Sequence, residues 1–157
     1  MTITPFLSTP LPVEPDWIDY NGHLNMAYYN VLFDRGVDQV WEQLGFGPDY
    51  RVRSGCTTFS AEFHVCYLRE IHLGDAVTVS FHLLDHTDKA VHFYQELIHP
   101  EGWVSATGEG VALHVDQSGP RVAAMPEDIL RNVRALYAAH QDLARPERVG
   151  RVMGLRA

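Results

Sequence analysis

The chain has 157 residues, 46% of them hydrophobic and 20% charged, and a formal net charge of −8. That length suits one domain with one core, and the composition is that of an ordinary globular protein. The acidic balance argues against wrapping DNA or RNA and against an anionic membrane surface.

Other global features narrow the class further. No apolar run approaches the ~20 residues of a membrane span. The opening residues carry four prolines by Pro15 and no basic segment, so no signal peptide is expected. Every basic residue but Lys89 is Arg. Arg grips phosphate and carboxylate well, but genome base composition gives the same bias and is the simpler source. The cysteines are Cys56 and Cys66. On one strand, ten residues at ~3.3 Å each would separate them by ~33 Å. A disulfide needs Cα atoms within ~7 Å. A reducing, cytoplasmic setting is therefore expected.

In chain order, Ser8 to Trp17 is short and Pro-punctuated, consistent with an edge strand. From Asn25 to Leu44 the apolar residues Tyr29, Phe33, Val37, Val40, Trp41 and Leu44 recur at helical spacing. Gly36 falls on that stripe, where it would let a sheet approach, and Gly45 supplies a stop. Phe59, Ala61, Phe63, Val65 and Tyr67 then alternate with polar residues, as on a half-buried strand. Turns at 73–75, 85–88 and 99–102 separate three further strands: Val77 to Leu83, Val91 to Leu97 and Trp103 to Val115. On the last of these, Ala106, Gly108, Gly110 and Ala112 share one face. Something bulky, such as a helix laid across the sheet, should lie there. After a turn at 116–120, Pro126-Glu127-Asp128 opens a second helix. Its stripe is Ile129, Val133, Leu136, Tyr137 and His140, and an Arg-rich surface tail follows at 144–157. The order predicts an α+β fold: an antiparallel sheet with a helix on one face, in a single domain over 1–157 with its core at about 8–143. Such a sheet leaves an exposed edge, so pairing of subunits is expected.

The chemistry concentrates in "WIDYNGHLNMAYYN", residues 17–30. A helix starting at Asn25 or Met26 presents unpaired N–H groups and partial positive charge, a place for a carbonyl oxygen that becomes an oxyanion. Asp19 can act as general base or nucleophile, His23 as acid or base, and Asn21 can orient a water. Together they suit attack of water on an acyl carbon. The same residues also read as helix caps with a structural histidine, and on spacing alone that is the cheaper reading. Cys56 and Cys66 as nucleophiles, and Glu62 with His64 as metal ligands, are weaker candidates than ordinary structural roles; no metal site is expected.

"DYNGHLNMAYY", with "YLREIHLGD" at 67–75, resembles the signature of hotdog-fold thioesterases of the 4-hydroxybenzoyl-CoA type. The resemblance spans roughly residues 13–143. It implies a curved antiparallel sheet wrapped around a long central helix, and an acyl-CoA thioesterase working as a dimer or a dimer of dimers. Asp19 matches the family's catalytic Asp. The spacing D-x-N-x-H-x-N is similar to that of plant acyl-carrier-protein thioesterases, which implies catalytic roles for Asn21 and His23. The N–H seven residues after the Asp, on Met26 beside Asn25, is where the resemblance places the oxyanion. More narrowly, "PDWIDYNGHLNMAYYNVLFDRGVD", "LHVD" and "VGRVMGL" resemble betainyl-CoA thioesterases of carnitine breakdown. An acyl group bearing trimethylammonium is typically held by aromatic faces, which makes Trp17 and Tyr20 candidates, with Tyr28 and Tyr29 nearby. Arg69, and the tail arginines 145, 148 and 151, are candidates for coenzyme A phosphates. No cofactor is implied; CoA enters as part of the substrate. Medium-chain or aromatic acyl-CoA is the fallback substrate. A hydratase or dehydratase on the same fold, and a non-catalytic acyl-CoA sensor, are the alternatives.

Overall fold

The computed structural model describes residues 5–155. Residues 1–4, and Arg156 and Ala157 of the tail, lie outside them. Helix α1, Met26–Leu44, is the centre of the fold. Asn25 caps it with extended backbone, accepting the Ala27 N–H at 3.0 Å. Gly45 closes it at φ 96°, its N–H reaching the Trp41 and Glu42 carbonyls. The buried face is the stripe read from the sequence, with Leu32 added.

Strands β1 (Phe6–Leu7), β2 (Leu11–Pro12), β3 (Cys56–Tyr67), β4 (Ala76–His86), β5 (Ala90–Ile98), β6 (Val104–Asp116) and β7 (Arg121–Val122) form one antiparallel sheet. Its main path is β1-β4-β5-β6-β3, with β2 beside β4 and β7 beside β6. Helix α3, Glu127–His140, packs on β4 next to α1. Val77, Val79, Phe81 and Leu83 of β4 are all buried, as their alternation requires. Gly36 sits where α1 crosses β4, and a Cβ there would lie 2.5 Å from the Val79 side chain.

Four expectations are corrected. The first segment does lie at the sheet edge, but only as the two-residue β2, with β1 ahead of it and a 3-10 turn at Pro15–Trp17 after it, because three prolines within six residues interrupt the ladder. A short helix, α2 at Pro48–Ser54, precedes β3. Ala106 and Ala112 of β6 share the core with α1, but the helix does not rest directly on the two glycines between them. The rings of Phe63 and Phe93 fill that space, and a Cβ on Gly108 or Gly110 would come within 2.5 Å of them. Finally, a register shift between Ser60 and Glu62 breaks the alternation of β3. Phe59 therefore pairs with Leu113 and leaves the face that Phe63 shares with Gly110.

Strand β3 has β6 on one side and no strand on the other among the described residues. The tail is more than a surface appendage. His82, Tyr94, Glu109 and His64 form a cross-strand row on the sheet face opposite α1. The tail runs along that row: Arg145 acts on His82, Arg148 on Tyr94, and the Gly150 N–H donates to Glu109 Oε2 at 2.7 Å. Glu109 Oε1 meets His92 Nε2 at 2.7 Å.

Candidate active site

The loop ahead of α1 is a closed hairpin. Ile18 and Leu24 form an antiparallel bridge, and the Asp19 N–H donates to the His23 carbonyl at 3.1 Å. The Gly22 N–H returns to the Asp19 carbonyl at 3.0 Å, with Gly22 at φ 81°, a conformation that favours glycine. Asp19 Oδ1 accepts the Asn21 N–H at 2.8 Å, a side-chain turn typical of Asp. Outside the loop, the Leu24 N–H donates to Ile71 and the Asn25 N–H to Trp17. Leu24 is buried in the core beneath. The carboxylate is thus fixed by local turn chemistry and anchored to two other parts of the fold.

At the helix mouth the donors divide. The Ala27 N–H is taken by the Asn25 side chain and the Tyr28 N–H by the Asn25 carbonyl. The Met26 N–H has no acceptor among the described residues. The cap leaves free the donor that an oxyanion would need. Tyr67 on β3 donates its hydroxyl to the Met26 carbonyl at 3.1 Å, tying the strand to the helix start. His23 reaches the Leu24 carbonyl at 3.4 Å and meets His72 edge-on.

The remaining candidates scatter. Trp17 is 6% exposed, stacked on Tyr28 at 5.6 Å, with the Arg35 guanidinium 4.8 Å over its ring. Its aromatic face already holds a cation, and that cation is paired with Glu14. Tyr20, at the hairpin tip, is 98% exposed. Within one chain these two do not form an aromatic box, because one is core and the other is turned to solvent. Tyr29 is buried in the core. Arg69 lies over Trp103 at 4.0 Å, and Trp103 stacks on His99 at 4.1 Å. Arg69 has no carboxylate partner among the described residues, which leaves its charge available. Cys56 and Cys66 are free and occupy one strand. Glu62 and His64 are joined by no third metal ligand among the described residues.

What the sequence did not single out is a cleft of about 790 Å³ between α1 and β3. Asn30, Phe33 and Asp34 line it from the helix, Phe63 and Tyr67 from the strand, and Arg151 from the tail. One signal was present. Met26, Asn30 and Asp34 recur every four residues, a second face of α1 beside the buried stripe.

An antiparallel sheet packed round one long helix, with an acid-bearing hairpin at the helix mouth, defines a hotdog-fold domain of the acyl-thioester class. The chain belongs to the Thioesterase-like superfamily, whose family model matches residues 13–133. A betainyl-CoA thioesterase of Pseudomonas aeruginosa is 40% identical over 145 residues, 92% of this chain and 91% of that protein. An L-carnitine dehydrogenase/betainyl-CoA thioesterase of Agrobacterium fabrum is 32% identical over 129 residues, 82% of this chain but 26% of that longer protein. A hypothetical protein of Staphylococcus aureus solved in complex with CoA superposes with a TM-score of 0.91 at 27% identity, covering 99% of this chain and 98% of that one.

Proposed function

We propose that the protein hydrolyses acyl-CoA thioesters, with betainyl-CoA as substrate and glycine betaine and CoA as products. The observation that carries the hydrolase reading is the unpartnered Met26 N–H at a helix mouth whose preceding hairpin holds Asp19. The substrate comes from the relative that is 40% identical along nearly its whole length.

In this reading the thioester carbonyl accepts from the Met26 N–H. Asp19 takes a proton from water as the water oxygen attacks the carbonyl carbon. The tetrahedral oxyanion is held by the same N–H and the helix dipole. Its collapse breaks the C–S bond, and the proton held by Asp19 passes to the CoA thiolate. His23 and Asn21 orient the water and tune Asp19. Arg69 meets a CoA phosphate. No cofactor takes part.

The unpaired edge of β3 supports a dimer formed at that edge, or a dimer of dimers. No helix of the described residues is long and apolar enough to cross a membrane, and both cysteines are free, as in the cytoplasm.

The test is free-thiol release across a panel of acyl-CoAs that includes betainyl-CoA. Asp19→Asn should lower kcat/KM by at least ~100-fold, the scale of lost general-base catalysis. Its melting temperature should hold, since Asn can accept the same turn hydrogen bond. No thiol release from any acyl-CoA sinks the hydrolase reading. Full activity in Asp19→Asn sinks the site.

A further inference from the structure

We propose that the cleft between α1 and β3 receives the trimethylammonium end of the acyl group, with Asp34 as its counter-charge. This rests on the betainyl-CoA reading above.

The cleft is in the right place. It begins at Tyr67, whose hydroxyl touches the Met26 carbonyl, and runs along α1 past Asn30 to Asp34. One turn of helix is ~5.4 Å, and helical side chains lean toward the N-terminus. In a betainyl group a single methylene separates the carbonyl from the ammonium. A carbonyl at Met26 therefore puts the ammonium near the level of Asn30, with the Asp34 carboxylate leaning back toward it from the next turn.

The walls have the right chemistry. A quaternary ammonium carries no N–H and cannot be held by hydrogen bonds. Aromatic faces and a nearby carboxylate are what recognise it. Phe63 and Tyr67 are 38% and 44% exposed, while their edge-on partners Phe33 and Tyr29 are buried. Phe63 lies flat against the sheet because Gly108 and Gly110 have no Cβ, and that leaves the space open. Asp34 is the one carboxylate among the lining residues, and it makes neither a hydrogen bond nor an ion pair among the described residues. Arg151, the cation of the lining, comes from the tail and forms no ion pair with it. The volume, about 790 Å³, is that of a small-molecule site.

The experiment compares betainyl-CoA with 3,3-dimethylbutanoyl-CoA, which has the same shape with carbon in place of the charged nitrogen. Wild type should prefer the charged substrate. Asp34→Asn should lower kcat/KM for betainyl-CoA by roughly 10- to 100-fold, the range for a partly desolvated charge pair. The neutral substrate should change by less than about twofold, and Asp34→Glu should restore part of the preference. If Asp34→Asn keeps the preference, or slows both substrates equally, the subsite is refuted while betainyl-CoA hydrolysis stands. If wild type releases no thiol from betainyl-CoA, the substrate reading falls and the subsite falls with it.

Discussion

Replacing Gly36 with Ala tests whether the site depends on how closely α1 lies on the sheet. A Cβ at Gly36 would stand 2.5 Å from both Cβ and Cγ1 of Val79 and 2.8 Å from Cγ2. Rotating Val79 about χ1 does not move its own Cβ, and another methyl replaces the one that leaves. The helix and β4 must separate, by ~1 Å to reach ordinary contact. Forced overpacking costs ~1–3 kcal/mol. Ala recovers ~1 kcal/mol of helix propensity over Gly. A net loss of up to ~2 kcal/mol remains, equivalent to at most ~6 °C in melting temperature for a chain of this size. The displaced helix carries Met26 and the hairpin, and a shift of ~1 Å in reacting geometry can cost ~100-fold in rate. Calorimetry and thiol release on Gly36→Ala, alone and with Val79→Ala, read both effects. The double variant should lose less stability than the two single changes summed. A Gly36→Ala protein more stable than wild type would refute the close contact.

Two further substitutions follow from buried polar groups. His114 Nδ1 donates to the Ala123 carbonyl at 2.8 Å, so in the neutral imidazole Nε2 accepts from the Tyr50 hydroxyl at 2.8 Å. Tyr50→Phe orphans that nitrogen beneath α2 and should cost ~1–3 kcal/mol in urea unfolding; no change would refute the tautomer. His140 is 3% exposed and accepts the Leu83 N–H, and burial, with His82 beside it, pushes its imidazole down to about 4. Its unfolded value is ~6.5, so between pH 6.5 and about 4 the unfolded chain binds a proton that the native chain refuses. Its contribution to stability is complete above pH 6.5, falls by ~3 kcal/mol through that window, and levels off below it. His140→Gln should flatten the dependence, with a residual slope from His82, whose imidazole burial also lowers. Equal slopes in the two proteins would refute it.

The long elements were legible because each repeats its period several times. The stripe from Tyr29 to Leu44 and the alternation Val77, Val79, Phe81, Leu83 leave little choice of register. Helix α2 carried every end signal: Pro48 in the first turn, Asp49 beside it, Arg51 and Arg53 in the last, and Gly55 as cap. Seven residues are too few for a periodic face to show, so the signals did not assemble into a helix. The bulge near Ala61 was hidden for the opposite reason, since Phe59 fits the strict alternation that the extra residue interrupts. In the candidate site, the grouping of Asp19, His23 and Met26 at one helix mouth was readable because they lie close together in sequence. The cleft was not, because Asp34 and Tyr67 come to line one space only when α1 is laid along β3. Trp17 looked like a ligand-facing aromatic, and nothing local revealed that Arg35 would already cover it.

The hairpin at residues 18–25 closes on backbone bonds that form as the chain folds. Its shape does not wait for substrate. Asp19 and the helix mouth are held in place by bonds among the described residues alone. The cost of that arrangement appears as a fixed entrance. If acyl-CoA is hydrolysed here as proposed, altered selectivity should come from residues along the groove, while changes within the loop should alter turnover for every substrate alike.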